Sequence, residues 1–365
     1  MHRRTPKVLF LAAATLLLGA CGTDSLLRPP QPLDAAAIQA DEGQLQQVMD
    51  VPALASLIGG PGAGFPIFLR TKRTPEVLLS RAGNLLAAHA QRVPTAAVGG
   101  VLATAIGSGA WIDSTLLGKT FVRTDSGYVW DSTRTDAPAN GVRVVLYERM
   151  NDGSFGGTVV GMLEMVDSSN AESGVIGIAR VFDANGASLG GWRYHDTVTG
   201  SGSNVGVATV DGALGEGSRQ IVFADTLRAD SVAGSSSPVP SFSLNTAVPF
   251  AGIAVHFRID NFALSGGLPV SVSLRLTSHL HELRLEETIT PDDPTSDSTH
   301  VYVDGTLVGL IPPGADRLVA PDGSAPPARL HDLVGEVMHL MQLLPAGLGV
   351  QATATGLLMQ LRPPV

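Results

Sequence analysis

From about residue 118 to residue 311 the chain keeps returning to one pattern: a short run of alternating apolar and polar residues, a cluster of Gly, Asn, Asp or Ser, then another run. Period-two alternation places apolar side chains on one face of an extended strand, and the punctuating residues are those that turn at little steric cost. Eleven runs follow the pattern, at 120–123, 127–131, 142–149, 159–167, 175–183, 189–196, 205–210, 219–227, 250–262, 270–286 and 301–311. No helical stretch of about 10–15 residues separates them, so the pattern predicts an antiparallel sheet and not a parallel α/β one.

Turn chemistry supports this. Asp183-Ala184-Asn185-Gly186 predicts a hairpin through a type I′ Asn-Gly turn, and Asp304-Gly305 predicts a second between 301–303 and 306–308. Asn140-Gly141 and Asp131-Ser132-Thr133 read as further hairpin chemistry. In 270–286, Val270, Val272, Leu274 and Leu276 alternate with Ser271, Ser273, Arg275 and Thr277, but Leu283 and Leu285 carry the apolar phase afterwards. Such a slip predicts a bulge or sharp bend in one long strand. About 11 strands in a meander predict a strongly curved antiparallel sheet or half-barrel, because a wide twisted sheet curls. The fold class is therefore mainly β with helical cover (α+β).

The cover comes from both ends. Asp34 reads as an N-cap before AAAIQADEGQLQQVM, and Thr74-Pro75-Glu76 restarts a helix before VLLSRAGNLLAAHAQR. The small-residue run 96–110 reads as a packing segment, since it is shorter than a membrane span needs. Near the C-terminus, Leu330, Leu333, Val334, Val337, Met341 and Leu344 make the apolar stripe of an amphipathic helix over 328–344, with Asp332, Glu336 and Gln342 opposite. The division expected is 34–117 helical, 118–311 antiparallel β body, and 312–365 a proline-rich loop and C-terminal helix.

The first 33 residues carry an address instead of a fold. MHRRTPK is basic, VLFLAAATLLL is apolar but about half the length of a membrane span, and Leu18-Gly19-Ala20 precede Cys21. This is a secretory signal over 1–20. Leu-Gly-Ala-Cys resembles the lipobox that signal peptidase II recognises in bacterial lipoproteins. The resemblance covers residues 18–21 of the signal region only. It implies that Cys21 becomes the N-terminal residue and is lipidated, with acyl chains such as palmitate inserted in a membrane. Two or three chains, at ~0.8 kcal/mol per buried methylene, hold a protein stably where one does not. Gly22 in place of Asp implies the outer membrane, facing the periplasm. Cys21 is also the only cysteine, so no structural disulfide forms. Residues 21–33, with Pro29, Pro30 and Pro32, read as a tether.

Removing residues 1–20 takes away three of 24 basic residues and none of 33 acidic ones, leaving a net charge of −12. Such a surface repels phosphate backbones, which argues against nucleic acid as a partner.

Candidate chemistry is sparse. Gly186-Ala187-Ser188-Leu189-Gly190 matches G-x-S-x-G, but a nucleophile elbow needs a helix after the serine and here a strand pattern continues. Hydrolysis through Ser188 is therefore the weakest of the functional readings. Thr277, His279 and His281 fall on one face of the long strand, so two imidazoles could approach one metal, with His256 or Glu282 as a third ligand of no diagnostic spacing. His331 and His339 lie eight apart on their helix, too far to share an ion. Thr290 to Asp297 offers hard oxygens to calcium but lacks the spaced glycine and distal glutamate of known loops. No catalytic residue, metal site or cofactor is assigned. The expectation is a non-catalytic, membrane-anchored envelope lipoprotein holding an apolar ligand or lipid in a curved sheet. The alternative is a structural or assembly lipoprotein contacting envelope proteins. Apolar residues on both sheet faces favour the first, and glycines and polar groups lining the concavity favour the second.

Overall fold

The computed structural model describes residues 35–58, 110–199 except 126, 151–153 and 171–173, then 205–230, 239–260, 270–278, 281–289, 298–312, 318–328 and scattered positions up to 361. The signal, Cys21, the tether, the 74–92 helix, most of the small-residue run and the 290–297 loop lie outside them.

Among the described residues two α-helices precede the sheet, α1 (Ala35–Met49) and α2 (Pro52–Ile58). The Ala-, Gln- and Leu-rich run fills α1 with good helix formers, and Ile38, Leu45, Val48 and Met49 turn one side of it into the core. Pro52 opens α2 at a position where its missing N–H costs nothing.

Among the described residues every strand joins one sheet. In chain order they are β1 (Lys119–Thr124), β2 (Gly127–Trp130), β3 (Gly141–Arg149), β4 (Phe155–Asp167), β5 (Val175–Asp183), β6 (Ser188–Thr199) and β7 (Val205–Glu216). Then follow β8 (Arg219–Asp230), β9 (Val239–Val248), β10 (Ile253–Asp260), β11 (Val270–Ser278), β12 (His281–Ile289), β13 (Thr299–Val303) and β14 (Thr306–Ile311). From β14 back to β4 each strand lies beside its predecessor in sequence; β3 then meets β1, and the sheet ends with β2, unclosed. All neighbours are antiparallel except β1 and β3, which run parallel. Because β2 and β3 flank β1, the link 131–140 hops over a single strand at one end of the sheet and needs no crossover helix.

The mainly β class with helices therefore stands, with 14 strands in place of about 11. Three differences account for the count. The run 270–286 is a hairpin and not one bent strand: Ser278 pairs with His281, so the chain reverses within two residues and β11 lies on β12. A phase slip and a two-residue turn leave the same mark on an apolar pattern, because both let the next inward residue fall out of step. The run 301–311 is the expected hairpin of two strands, with Asp304 and Gly305 both at positive φ (48° and 78°) as a type I′ turn requires. The third difference, β9, has no counterpart among the eleven runs. Pro240 and four polar residues disguise it, although Phe242, Leu244, Thr246 and Val248 all face inward.

The turn at 183–186 also differs from expectation. Only Gly186 has positive φ (83°), and its N–H donates to Asp183 O at 3.1 Å. The Asp183 carboxylate accepts N–H groups from Asn185 and Ala187 at 2.9 and 2.7 Å. The loop is thus the three-residue kind that ends in one left-handed glycine, with the aspartate supplying the extra acceptor.

Most of one face of the sheet is buried. A row in register, Phe121, Val144, Leu163 and Val181, crosses β1, β3, β4 and β5 with no exposure. Leu274, Leu285 and Val301 continue the same core across β11, β12 and β13. Helix α2 packs on β3, β4 and β5, and α1 on β7 and β8. Gly177 lets Trp111 lie flat on β5, since a Cβ there would stand 2.3 Å from the indole ring. The described residues between 328 and 337 are helical, with Leu333, Val334 and Val337 buried, as the stripe predicts.

Candidate functional site

Those of the residues singled out from the sequence that the structure describes do not assemble into a site. Ser188 is the first residue of β6, pairs with Phe182, and accepts an N–H from Gly190 through its hydroxyl at 3.3 Å. A strand follows it, so the strand–turn–helix geometry of a nucleophile elbow does not form. His279 lies outside the described residues, as do His331 and His339. His281 stands on β12, after the reversal, with its side chain on the buried face, whereas Thr277 is exposed on β11. The two positions therefore occupy opposite faces, a consequence of the hairpin. The His281 ring meets Asp304 Oδ2 at 2.8 Å through Nδ1, and Asp304 Oδ1 accepts the Glu282 N–H at 2.9 Å. This pair ties the β13–β14 turn onto β12. Burial opposes the Asp304 charge, but the Glu282 N–H and His281 hold its carboxyl below the usual range. Among the described residues no group of three or more His, Cys, Asp or Glu could hold a metal ion.

On the outer face, β1, β3 and β4 carry an ion-pair network that the link 131–140 completes. Arg143 donates through Nη1 to Asp136 Oδ2 at 2.5 Å, and through Nε (3.1 Å) and Nη2 to Glu164 Oε1. The Thr120 hydroxyl donates to the other Asp136 oxygen at 2.8 Å. Burial works against the Arg143 charge, but Glu164 and Asp136 outweigh it and raise its pKa. Asp136 answers in kind: burial pushes its pKa up, yet Thr120 and Arg143 bring it below the ordinary value.

The inner face holds polar groups of another sort. Tyr194 and Asp196 point inward from β6 and Asp225 from β8, all buried, and Tyr194, Val210 and Asp225 form one row across β6, β7 and β8. From α1, buried Asp41 reaches Ser278 of β11 at 3.4 Å. Burial and the neighbouring Asp196 carboxylate push the Tyr194 phenol far above its usual value. Burial likewise raises the Asp196 pKa, against the opposing pull of Tyr194 and His195. Reading the sequence for catalytic spacings missed these groups. The available signal was phase: Asp225 falls in step with Ile221 and Phe223, Asp196 with Trp192 and Tyr194, and Asp41 with Ile38 and Leu45.

A raised carboxylate pKa has a definite sign. The fold favours the protonated form, so the Asp196 contribution to stability is present below the unfolded value and is lost as pH rises through the folded value. Asp196→Asn, which mimics the neutral form, is expected to stabilise the protein at neutral pH and to flatten the decline in melting temperature between about pH 4 and 7. Thermal melts across that range check it, and parallel curves for parent and variant count against it.

The test of two apolar faces gives a divided result. The first three residues of β5, Val175, Ile176 and Gly177, are buried on both faces. In β10 and β11 burial alternates residue by residue, leaving one wet face. No described helix is long and apolar enough to cross a membrane. Comparison with known proteins adds no relative: no family model matches the chain, and no curated protein or solved structure resembles it.

Proposed function

We propose that the protein is an envelope lipoprotein, anchored through acylated Cys21 in the outer membrane, that holds an apolar ligand such as a lipid acyl chain between a curled sheet and its helical cover, without catalysis. The observation that carries the reading is the single apolar face shared by all parts of the 14-stranded sheet, with Tyr194, Asp196 and Asp225 set into it. An apolar lining with a few polar groups to orient the occupant is the common form of a small-molecule site. Eight strands closed into a barrel already leave an interior just filled by side chains. A 14-stranded sheet that does not close presents a wider inner face, which α1 and α2 cover in part. Helix α1 is docked by a stripe interrupted by Asp41, so displacing it exposes less apolar surface than lifting a wholly apolar helix would. The polar groups on the inner side also suit the assembly reading, in which the interior is a fixed core and the outer face meets other envelope proteins.

Native mass spectrometry of the body, expressed from Asp34 without its acyl anchor, separates the two. Co-purifying lipid released on denaturation is the expected result. A protein that emerges empty and binds no hydrophobic probe overturns the carrier reading and leaves the assembly one. For the anchor, Cys21→Ser is expected to abolish labelling by a fatty-acid analogue, and persistent labelling refutes it.

A further inference from the structure

On the outer face of β8, β9 and β10, three adjacent outward positions are alanine: Ala224, Ala247 and Ala254. Ala247 and Ala254 are cross-strand partners, and Ala224 sits one pair further along, beside Asn245. Small side chains among larger neighbours leave a dip of about 250 Å³, with His256 and Arg275 standing at its rim as cross-strand partners on β10 and β11.

The rim is oriented. The Asn245 amide nitrogen donates to Ala224 O at 3.1 Å, which turns its oxygen toward the His256 ring as an acceptor. The His256 Nδ1–H donates to that oxygen, so Nε2 is the nitrogen left to address a ligand. Arg275 gives its Nε to Glu282 at 3.2 Å, which leaves its terminal N–H groups for another acceptor.

We propose that this dip binds small apolar carboxylates, molecules with a flat hydrocarbon body that lies on the alanine floor and one anionic end that meets His256 and Arg275. The bound carboxylate accepts from a protonated Nε2 while Nδ1 keeps its bond to Asn245, so both ring N–H groups are satisfied only in the charged imidazole with ligand present. Binding therefore takes up a proton. Burial, then Arg258 on the same strand and Arg275 on the next, lower the pKa of the free His256 imidazole. Arg258 is bound to Asp260, Glu282 lies beyond Arg275, and the nearest charge toward β7 is Asp211, the cross-strand partner of Ala224. The site is independent of the interior and of the carrier reading.

The test titrates benzoate into the full chain carrying Cys21→Ser and follows the His256 ring by NMR, with benzyl alcohol as the uncharged control of the same shape. Expected are millimolar binding of benzoate, a rise in the His256 pKa on saturation, and binding of benzyl alcohol weaker by ~10-fold or more. Ala254→Leu, at an exposed position, fills the dip and abolishes binding; Arg275→Gln weakens it ~10-fold and decides the matter should the leucine variant not fold. An unperturbed His256 at 10-fold higher benzoate, equal binding of the alcohol, or full binding by Arg275→Gln overturns the proposal.

Discussion

Phe121→Ala is expected to lower the unfolding free energy by about 3–5 kcal/mol, read as a fall in the denaturation midpoint at unchanged slope. Phe121 is among the largest side chains with no exposure, and it stands in β1, where the sheet departs from simple succession. Its ring is the middle of an inward row with Trp130 on one side and Val144 on the other. Truncation removes apolar area and opens a cavity that the flanking backbones, held by an antiparallel partner and a parallel one, close only in part. Since β2 joins the sheet through β1 alone, the effect extends beyond the cavity. The exposed Trp130 is expected to become more accessible to fluorescence quenchers before global unfolding. A loss under 1 kcal/mol would show that β1 is not packed as described.

Arg143→Ala ranks second, at about 3 kcal/mol, and for a different reason. Its side chain is 19% exposed and that of Glu164 is 11%, so removing the guanidinium leaves a carboxylate desolvated and unpaired. The loss measures that uncompensated charge more than the worth of the pair. Two companions separate the terms. Arg143→Lys keeps the charge but loses the fork that serves Asp136 and Glu164 together, and is expected to fall between parent and alanine. Arg143→Met combined with Glu164→Leu removes both charges and is expected to recover most of the loss, because Val145 and Met162 already line that face. A double variant no better than Arg143→Ala would place the defect in packing and not in charge.

Much of the sheet was legible because its signal is local. Val175–Asp183 and the 35–49 helix match their expected limits, since alternation or helix formers and the bounding turns all lie within one short stretch. What failed is instructive. At Leu280 the apolar phase alone could not distinguish a bulge from a reversal, since that choice depends on whether β11 finds its partner in β12. Strand β9 escaped because Pro240 and its serines weaken local propensity, while β8 and β10 supply ladder bonds from both sides whatever the propensity. The shared face of Thr277 and His281 rested on the long strand and disappeared with it.

The candidate sites divide in the same way. The acids buried inside were visible as carboxylates in phase with apolar residues. The alanine dip was not, because Ala224, Ala247 and Ala254 are unremarkable in their own strands and become a hollow only when three strands align them.

By itself the sequence determined the composition of each strand's two faces, the places where the chain turns, and the expectation of an anchor at Cys21. Tertiary structure decided the number and order of strands, the single parallel pair, the partners of Arg143 and the hollow beside His256. The physical reason is range: alternation and turn preference act over a few residues, whereas register and burial are set by neighbours far off in the chain, and only their pairing makes a face into a surface.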